Sequence, residues 1–246
     1  MVKLNALDVS FLALEGPAAP MHIGFLLTFQ LPDKASIDYM QKLHDRLMRF
    51  PVEVAPFNLR LKQHERLSTL RPELEVDEAI DLEYHLRHEA LPWPGGEREL
   101  GLAISRLHSL PLERSRPLWE CTLIEGLQPK RFAFYIKIHH ALVEGVGLMH
   151  QLTQILSDTP RGASPPPWSA PLNTEAPQKA TQAADEDWRS FFEGLLGDIG
   201  KPGRKRKAGS YIPRGPRCIL NGNTTGRRRF ATQWLALARV KAVAKA

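Results

Sequence analysis

The chain has 246 residues, 43% of them hydrophobic, with a formal net charge of +6, which suits a soluble globular protein of one large domain or two smaller ones. No apolar run approaches the roughly 20 residues of a membrane-spanning helix, Asp8 and Glu15 interrupt any secretory leader, and two distant cysteines, Cys121 and Cys218, imply neither a disulfide framework nor a metal site. The positive charge sits at one end: residues 1–198 hold 20 Lys/Arg and 27 Asp/Glu, net −7, whereas residues 199–246 hold 13 Lys/Arg and no acid, net +13.

Residues 1–157 predict alternating strands and helices. His22–Leu31 reads as a strand. Ser36 is placed to cap a helix running to about Phe50, with Ile37, Met40, Leu43 and Leu47 on one face, and Pro51 stops it. Residues 73–91 are acidic and helix-prone, with Leu82, Leu86 and Ala90 at helical spacing. Glu97–Leu110 predicts an amphipathic helix built on Leu100, Ile104 and Leu107. A loop then leads into a strand over Trp119–Glu125, a turn at Gln128–Lys130, and a returning strand over 131–139, which together form an antiparallel hairpin.

Along the returning strand Phe132, Phe134, Ile136 and Ile138 share one parity, and Ala133, Tyr135 and Lys137 the other, the period of a half-buried strand. Continued by two residues, the pattern puts His140 on the buried parity and His139 on the more polar one. A helix starts near Glu144, with Leu148, Met149, Leu152, Ile155 and Leu156 on the face packed against the sheet. Residues 158–183 contain six prolines and read as a linker or surface loop.

Residues 184–200 predict an amphipathic helix whose stripe is Trp188, Phe191, Phe192, Leu195, Leu196 and Ile199; its acidic opposite face favours packing over membrane insertion. The run Arg204–Lys207 is the better candidate for lipid headgroups. Arg227–Leu237 alternates like a strand and Ala238–Ala246 starts a helix, so residues 201–246 read as a basic segment opening a truncated second lobe. No nucleic-acid recognition module accompanies the basic charge, and nucleic acid is not an expected partner.

The pair His139-His140, followed by Glu144 and Gly145, holds the chemistry of the chain. A neutral imidazole titrates near neutral pH and can accept a hydroxyl proton, and a nearby carboxylate can fix the ring or the local backbone. Read from these residues alone, a chance pair remains open, with His139 exposed and His140 a satisfied core residue. Adjacent histidines on a strand point to opposite faces and no third ligand lies at a zinc-type spacing, so no metal is expected.

His139-His140-Ala-Leu-Val-Glu144-Gly145 resembles the His-His-x-x-x-Asp-Gly motif of the acyl-CoA-dependent acyltransferase superfamily, which includes chloramphenicol acetyltransferase and peptide-synthetase condensation domains. With Leu7–Leu12, Met21-His22-Ile23-Gly24, Pro111–Glu120, Asn221-Gly222 and Arg227–Ala231, nearly the whole chain resembles the bacterial wax ester synthase/diacylglycerol acyltransferase family. The resemblance implies an α/β (α+β) chloramphenicol-acetyltransferase-like lobe with a mixed, mostly antiparallel sheet flanked by helices. The lobe with the His-His motif would occupy residues 1–157, and the second lobe would be largely missing. His140 would be the general base and His139 would support the site. Glu144, in place of the family's Asp, would hold the loop by ion pairing. Gly145 would keep the channel open, and Arg116, Pro117 and Trp119 would shape the scaffold beside it.

The implied activity is transfer of a fatty acyl group from acyl-CoA, a substrate and not a cofactor, to a diacylglycerol or long-chain alcohol. No further cofactor is expected. The expected partners are those substrates, a chain supplying the second lobe, and a membrane or lipid-droplet surface met through residues 201–217, from a cytoplasmic location or the periphery of the inner membrane. Two alternatives stand beside this: a catalytically inactive remnant acting as a lipid-surface or partner-binding module, and the same chemistry with a polyketide or peptide alcohol as acceptor.

Overall fold

The structure, a computed structural model, describes residues 2–62, 72–143, 145–157, 165–170, 225–233 and 235–245. In chain order its elements are β1 (Val2–Lys3), α1 (Ala6–Leu14), β2 (His22–Gln30), α2 (Tyr39–Leu47), β3 (Leu59–Leu61), β4 (Glu73–Val76), α3 (Leu82–His85), β5 (Leu86–Ala90), α4 (Glu97–Ser109), β6 (Trp119–Leu127), β7 (Arg131–His139), α5 (Gly145–Ile155) and α6 (Leu237–Lys245). The fold is mixed α/β with a mostly antiparallel sheet flanked by helices, as expected. The expected helix over 184–200, the basic run of 201–217, Asn221-Gly222 and Glu144 lie outside the described residues. None of the described helices is long and apolar enough to cross a membrane.

The main sheet has the order β2-β7-β6-β5, antiparallel except for the parallel pair β5/β6. Its central strands carry apolar side chains on both faces because both faces are covered. On one, Phe25, Trp119, Cys121, Ile136 and Ile138 pack with Leu47 of α2 and with Leu148 and Leu152 of α5. On the other, Ile124, Ala133 and Tyr135 pack with Leu100, Ile104 and Leu107 of α4. β7 is therefore covered on both faces instead of half-buried, with Arg131 and Phe134 alone partly exposed, and Lys137 is as enclosed as its apolar neighbours. Truncating a core residue such as Leu123 to Ala would cost about 2–5 kcal/mol.

Residues 165–170 pack on this core as well: Trp168 is buried and stacks on Trp119 with ring centroids 5.5 Å apart. The Ser169 hydroxyl donates to the Pro51 carbonyl. Between them, α2, α5 and residues 165–168 leave a cavity of about 260 Å³ against the sheet, lined by Leu27, Phe134, Ile136, Leu152 and Trp168 with Arg46 at its edge.

Three segments depart from the periodicity. Residues 73–91 are not one helix. β4 instead joins β1 and β3 in a small second sheet, Asp81 caps the single turn α3 by accepting from Tyr84 N–H, and Leu86–Ala90 pairs with Cys121–Glu125. Leu82, Leu86 and Ala90 are helically spaced, but sheet pairing satisfies the backbone over five residues and wins. α2 begins at Tyr39, since Ser36 hydrogen-bonds Asp38 instead of capping, and Ile37 stays fully exposed.

Residues 227–233 form neither helix nor strand. Their backbone is received by hydroxyls one turn apart on α4: Phe230 N–H donates to Ser105 Oγ at 2.8 Å and Arg228 N–H to Ser109 Oγ at 3.2 Å. Gly101, a further turn away, makes room for the Phe230 carbonyl, which an added Cβ would meet at 3.0 Å. The small residues of α4 thus replace the strand that an edge would require.

Candidate active site

β7 delivers the two histidines to the point where the strand ends and the chain turns. His139 closes the ladder, its N–H donating to the Leu118 carbonyl at 2.9 Å, and Leu142 N–H returns to the His139 carbonyl at 3.0 Å. His140 already lies in this turn, its N–H donating to the Met21 carbonyl at 2.9 Å. Strand parity therefore stops at His139. The expected burial is reversed: His139 is fully buried and His140 half-buried.

The two rings have different surroundings. Nδ1 of His139 accepts the Ala141 N–H at 3.0 Å, which assigns its proton to Nε2. Nε2 faces Glu15 Oε1 at 3.5 Å, an electrostatic pairing longer than a well-formed hydrogen bond. Glu15 caps the end of α1 and is itself held: Arg114 Nη2 donates to Oε2 at 2.8 Å, and Met21 N–H donates to Oε1 at 3.1 Å. Burial on its own would raise the Glu15 carboxyl. The contacts from His139, Arg114 and Met21 outweigh it and hold the group at about 2. His140 is stacked on Phe11 of α1, ring centroids 3.9 Å apart and planes 25° from parallel. Among the described residues neither ring nitrogen of His140 has a hydrogen-bond or ion-pair partner.

A polar layer lies between the sheet and α4 on the side of His139. His22 sits opposite His139 in the β2/β7 register, and its Nε2 donates to the His108 carbonyl at 2.9 Å. His108 Nδ1 meets the Tyr135 hydroxyl at 2.6 Å. Burial lowers the His22 imidazole to about 4 and pushes His108 down as well. Lys137 Nζ donates to the Leu107 and Leu110 carbonyls at 3.1 and 2.9 Å, closing the end of α4, and pairs with Glu120 at 3.2 Å. Burial pulls the Lys137 ammonium below its usual range while Glu120 opposes the shift.

The loop before β6 frames this layer. Arg116 ion-pairs with Asp81 at 3.1 Å and lies over the Tyr84 ring, 4.1 Å from its centroid. Pro117 is buried. Trp119 is enclosed between the rings of His85 and Trp168 and donates from Nε1 to the Phe57 carbonyl at 2.8 Å. Gly145 opens α5, directly after the His-bearing turn. Nothing in the sequence marks Glu15, Phe11, Arg114 or Met21 as site residues. The Asn5-x-x-Asp8 capping box marks the start of α1 but carries no signal for Glu15 at its end.

An enclosed α/β lobe with a His-His turn at the mouth of its central strand has a counterpart among known proteins. The wax ester synthase/diacylglycerol acyltransferase catalytic domain matches residues 4–246, and the chain belongs to this family. It is 35% identical to the O-acyltransferase WSD of Acinetobacter baylyi, an alignment covering 100% of this chain and 55% of that protein. The wax ester synthase/diacylglycerol acyltransferase from Marinobacter aquaeolei VT8 superposes with a TM-score of 0.74 at 39% identity, over 99% of this chain and 55% of that one. The chain thus spans about half the length of the relatives it matches.

Proposed function

We propose that this chain carries the base of an O-acyltransfer site, with His140 taking the proton of a long-chain alcohol or diacylglycerol hydroxyl as its oxygen attacks an acyl-CoA thioester. The new O–C bond forms, the C–S bond breaks, and the imidazolium returns its proton to the leaving thiolate. The observation that carries this reading is the contrast between the two rings. His139 has Nδ1 occupied by the Ala141 N–H and its Nε2 proton aimed at Glu15, so it has no lone pair to offer. His140 lies half open, with ring nitrogens that no described residue occupies. His139 then serves as a fixed support, Glu144 would hold the loop by ion pairing, Gly145 keeps the substrate channel open, and Arg116, Pro117 and Trp119 hold the scaffold. Acyl-CoA enters as substrate, and the reading needs no other cofactor.

Residues 201–217 hold seven Lys/Arg and no acid, a composition suited to an anionic lipid surface where such substrates reside. Contact with that surface from the cytoplasmic side is part of the same proposal. Salt-sensitive co-sedimentation with phosphatidylglycerol vesicles tests it; binding that persists at high salt would refute the electrostatic contact.

The reaction is tested by incubating the chain with palmitoyl-CoA and hexadecanol or diacylglycerol, alone and with a second polypeptide supplying the rest of the family's length. Free CoA is the readout. Release that His140→Ala abolishes in a folded protein is the expected result, and persistence of release in that variant would overturn the mechanism. If no CoA appears in either arm, the catalytic reading fails and the binding-module alternative takes its place.

A further inference from the structure

We infer that Phe11 is the positioning residue for the His140 imidazole, an inference that rests on His140 being the base. Three observations support it. The His139 ring is fixed by contacts at both nitrogens, whereas the His140 ring has, among the described residues, no hydrogen-bond or ion-pair partner and is stacked on the Phe11 ring at 3.9 Å and 25°. The second torsion of a histidine side chain is broad, so an imidazole held by its backbone alone would swing its nitrogens through a wide arc. A near-parallel ring at van der Waals distance removes that freedom.

Phe11 is itself held in place. α1 is pinned at its start by the reciprocal Asn5/Asp8 hydrogen bonds of 2.8 and 3.3 Å, and at its end the Phe11 carbonyl accepts the Glu15 N–H at 3.1 Å. Arg114 binds the same end twice, through Glu15 and through the Leu12 carbonyl at 2.8 Å. Phe11 and Glu15 are four residues apart, which places both side chains on one side of the helix end. One end of one helix therefore addresses two adjacent imidazoles, Glu15 orienting His139 and Phe11 orienting His140. The stack is also compatible with catalysis. It covers a face of the ring and leaves the nitrogen lone pairs, which lie in the ring plane, open to a hydroxyl.

The test compares Phe11→Leu, Phe11→Met and Phe11→Tyr in the full chain, assayed with palmitoyl-CoA and hexadecanol under conditions where the wild type releases CoA. The ring protons of His140, assigned with His140→Ala, are followed in parallel by NMR in 15N-histidine-labelled protein. Removing the aromatic ring should move the His140 ring protons downfield and lower kcat about tenfold or more with KM unchanged. Phe11→Tyr should retain both the shifts and kcat. Phe11→Met covers the case in which Phe11→Leu fails to fold. Unmoved His140 ring protons in a folded non-aromatic variant would overturn the proposal, as would a loss of kcat in Phe11→Tyr equal to that in Phe11→Leu. A wild type that releases no CoA, even with the second polypeptide supplied, would defeat the acyltransfer reading, while the ring shifts would still decide the positioning.

Discussion

Arg114 and Glu15, 99 residues apart in sequence, meet at 2.8 Å beside the buried ring of His139. The guanidinium takes one carboxylate oxygen, and the other faces the imidazole. This arrangement keeps a charged acceptor where burial would otherwise favour a neutral acid, and so gives the His139 Nε2 proton a fixed direction. Glu15→Gln keeps the shape and removes the charge. It should destabilise the protein by about 1–3 kcal/mol, because a buried donor loses its acceptor, and should reduce CoA release. The carboxyl lies at about 2 in the folded protein against 4.5 ordinarily. Its stabilisation is therefore complete above pH 4.5 and lost as pH falls through 2. Urea midpoints of the two proteins should differ fully at pH 7 and converge toward pH 2; equal midpoints at pH 7 would contradict the assignment.

Lys137 and Glu120 make a sharper case, since both are buried and 3.2 Å apart. Lys137→Met leaves the Glu120 carboxylate without its cation and the last carbonyls of α4 without a donor. A loss of about 3–5 kcal/mol is expected from breaking one side of such a pair. Adding Glu120→Gln should recover part of it, because no uncompensated charge then remains. Chemical denaturation of the single and double variants measures the recovery, and a double variant weaker than Lys137→Met would contradict a paired role.

How much of this was legible in the sequence depends on the range of the interaction. The β6/β7 hairpin and α4 could be read from spacing, since their pattern is local: Phe132 to Ile138 at period two, and Leu100, Ile104 and Leu107 at helical period. β5 could not, because its register with Cys121–Glu125 is parallel and remote, and Leu82, Leu86 and Ala90 fit a helix equally well. From spacing alone, Lys137 falls on the polar face of a half-buried strand. What encloses it, Glu120 and the end of α4, becomes visible only once α4 is laid over the sheet. At the site, the motif identified the two histidines but not their difference. Which ring is buried follows from the strand ending at His139 and from Glu15 and Phe11 arriving on α1, contacts that span some 125 residues by chain order.

Three imidazoles, His22, His85 and His108, are pushed below their ordinary value, each chiefly by burial, with His22 at about 4. In the unfolded chain they protonate near 6.5. As pH falls below 6.5 the unfolded state therefore binds protons that the folded state refuses, and stability drops. The contribution is complete above pH 6.5 and, for His22, lost by about pH 4. The urea midpoint should fall between pH 7.5 and pH 5, well before the carboxylates titrate. Replacing His22 with Gln should flatten that slope; a midpoint indifferent to pH over this range would contradict the burial of these rings as neutral species.

Gly24 pairs with Lys137 in the β2/β7 register, and the ring of Tyr135, two residues back along β7, occupies the space a side chain at Gly24 would need. A Cβ at position 24 would lie 2.5 Å from the Tyr135 hydroxyl oxygen and 2.8 Å from a ring carbon. Gly24→Ala must therefore displace Tyr135, which breaks its 2.6 Å contact with His108 and disturbs the polar layer under His139. Overpacking of this kind costs about 1–3 kcal/mol. Combining Gly24→Ala with Tyr135→Phe should recover only part of the loss, since the ring-carbon contact remains after the hydroxyl is gone. Tyr135→Leu, which removes the ring itself, should make the Gly24→Ala change nearly neutral. Urea midpoints of the four variants measure this non-additivity. A Gly24→Ala protein as stable as wild type would mean that Tyr135 has another place to go.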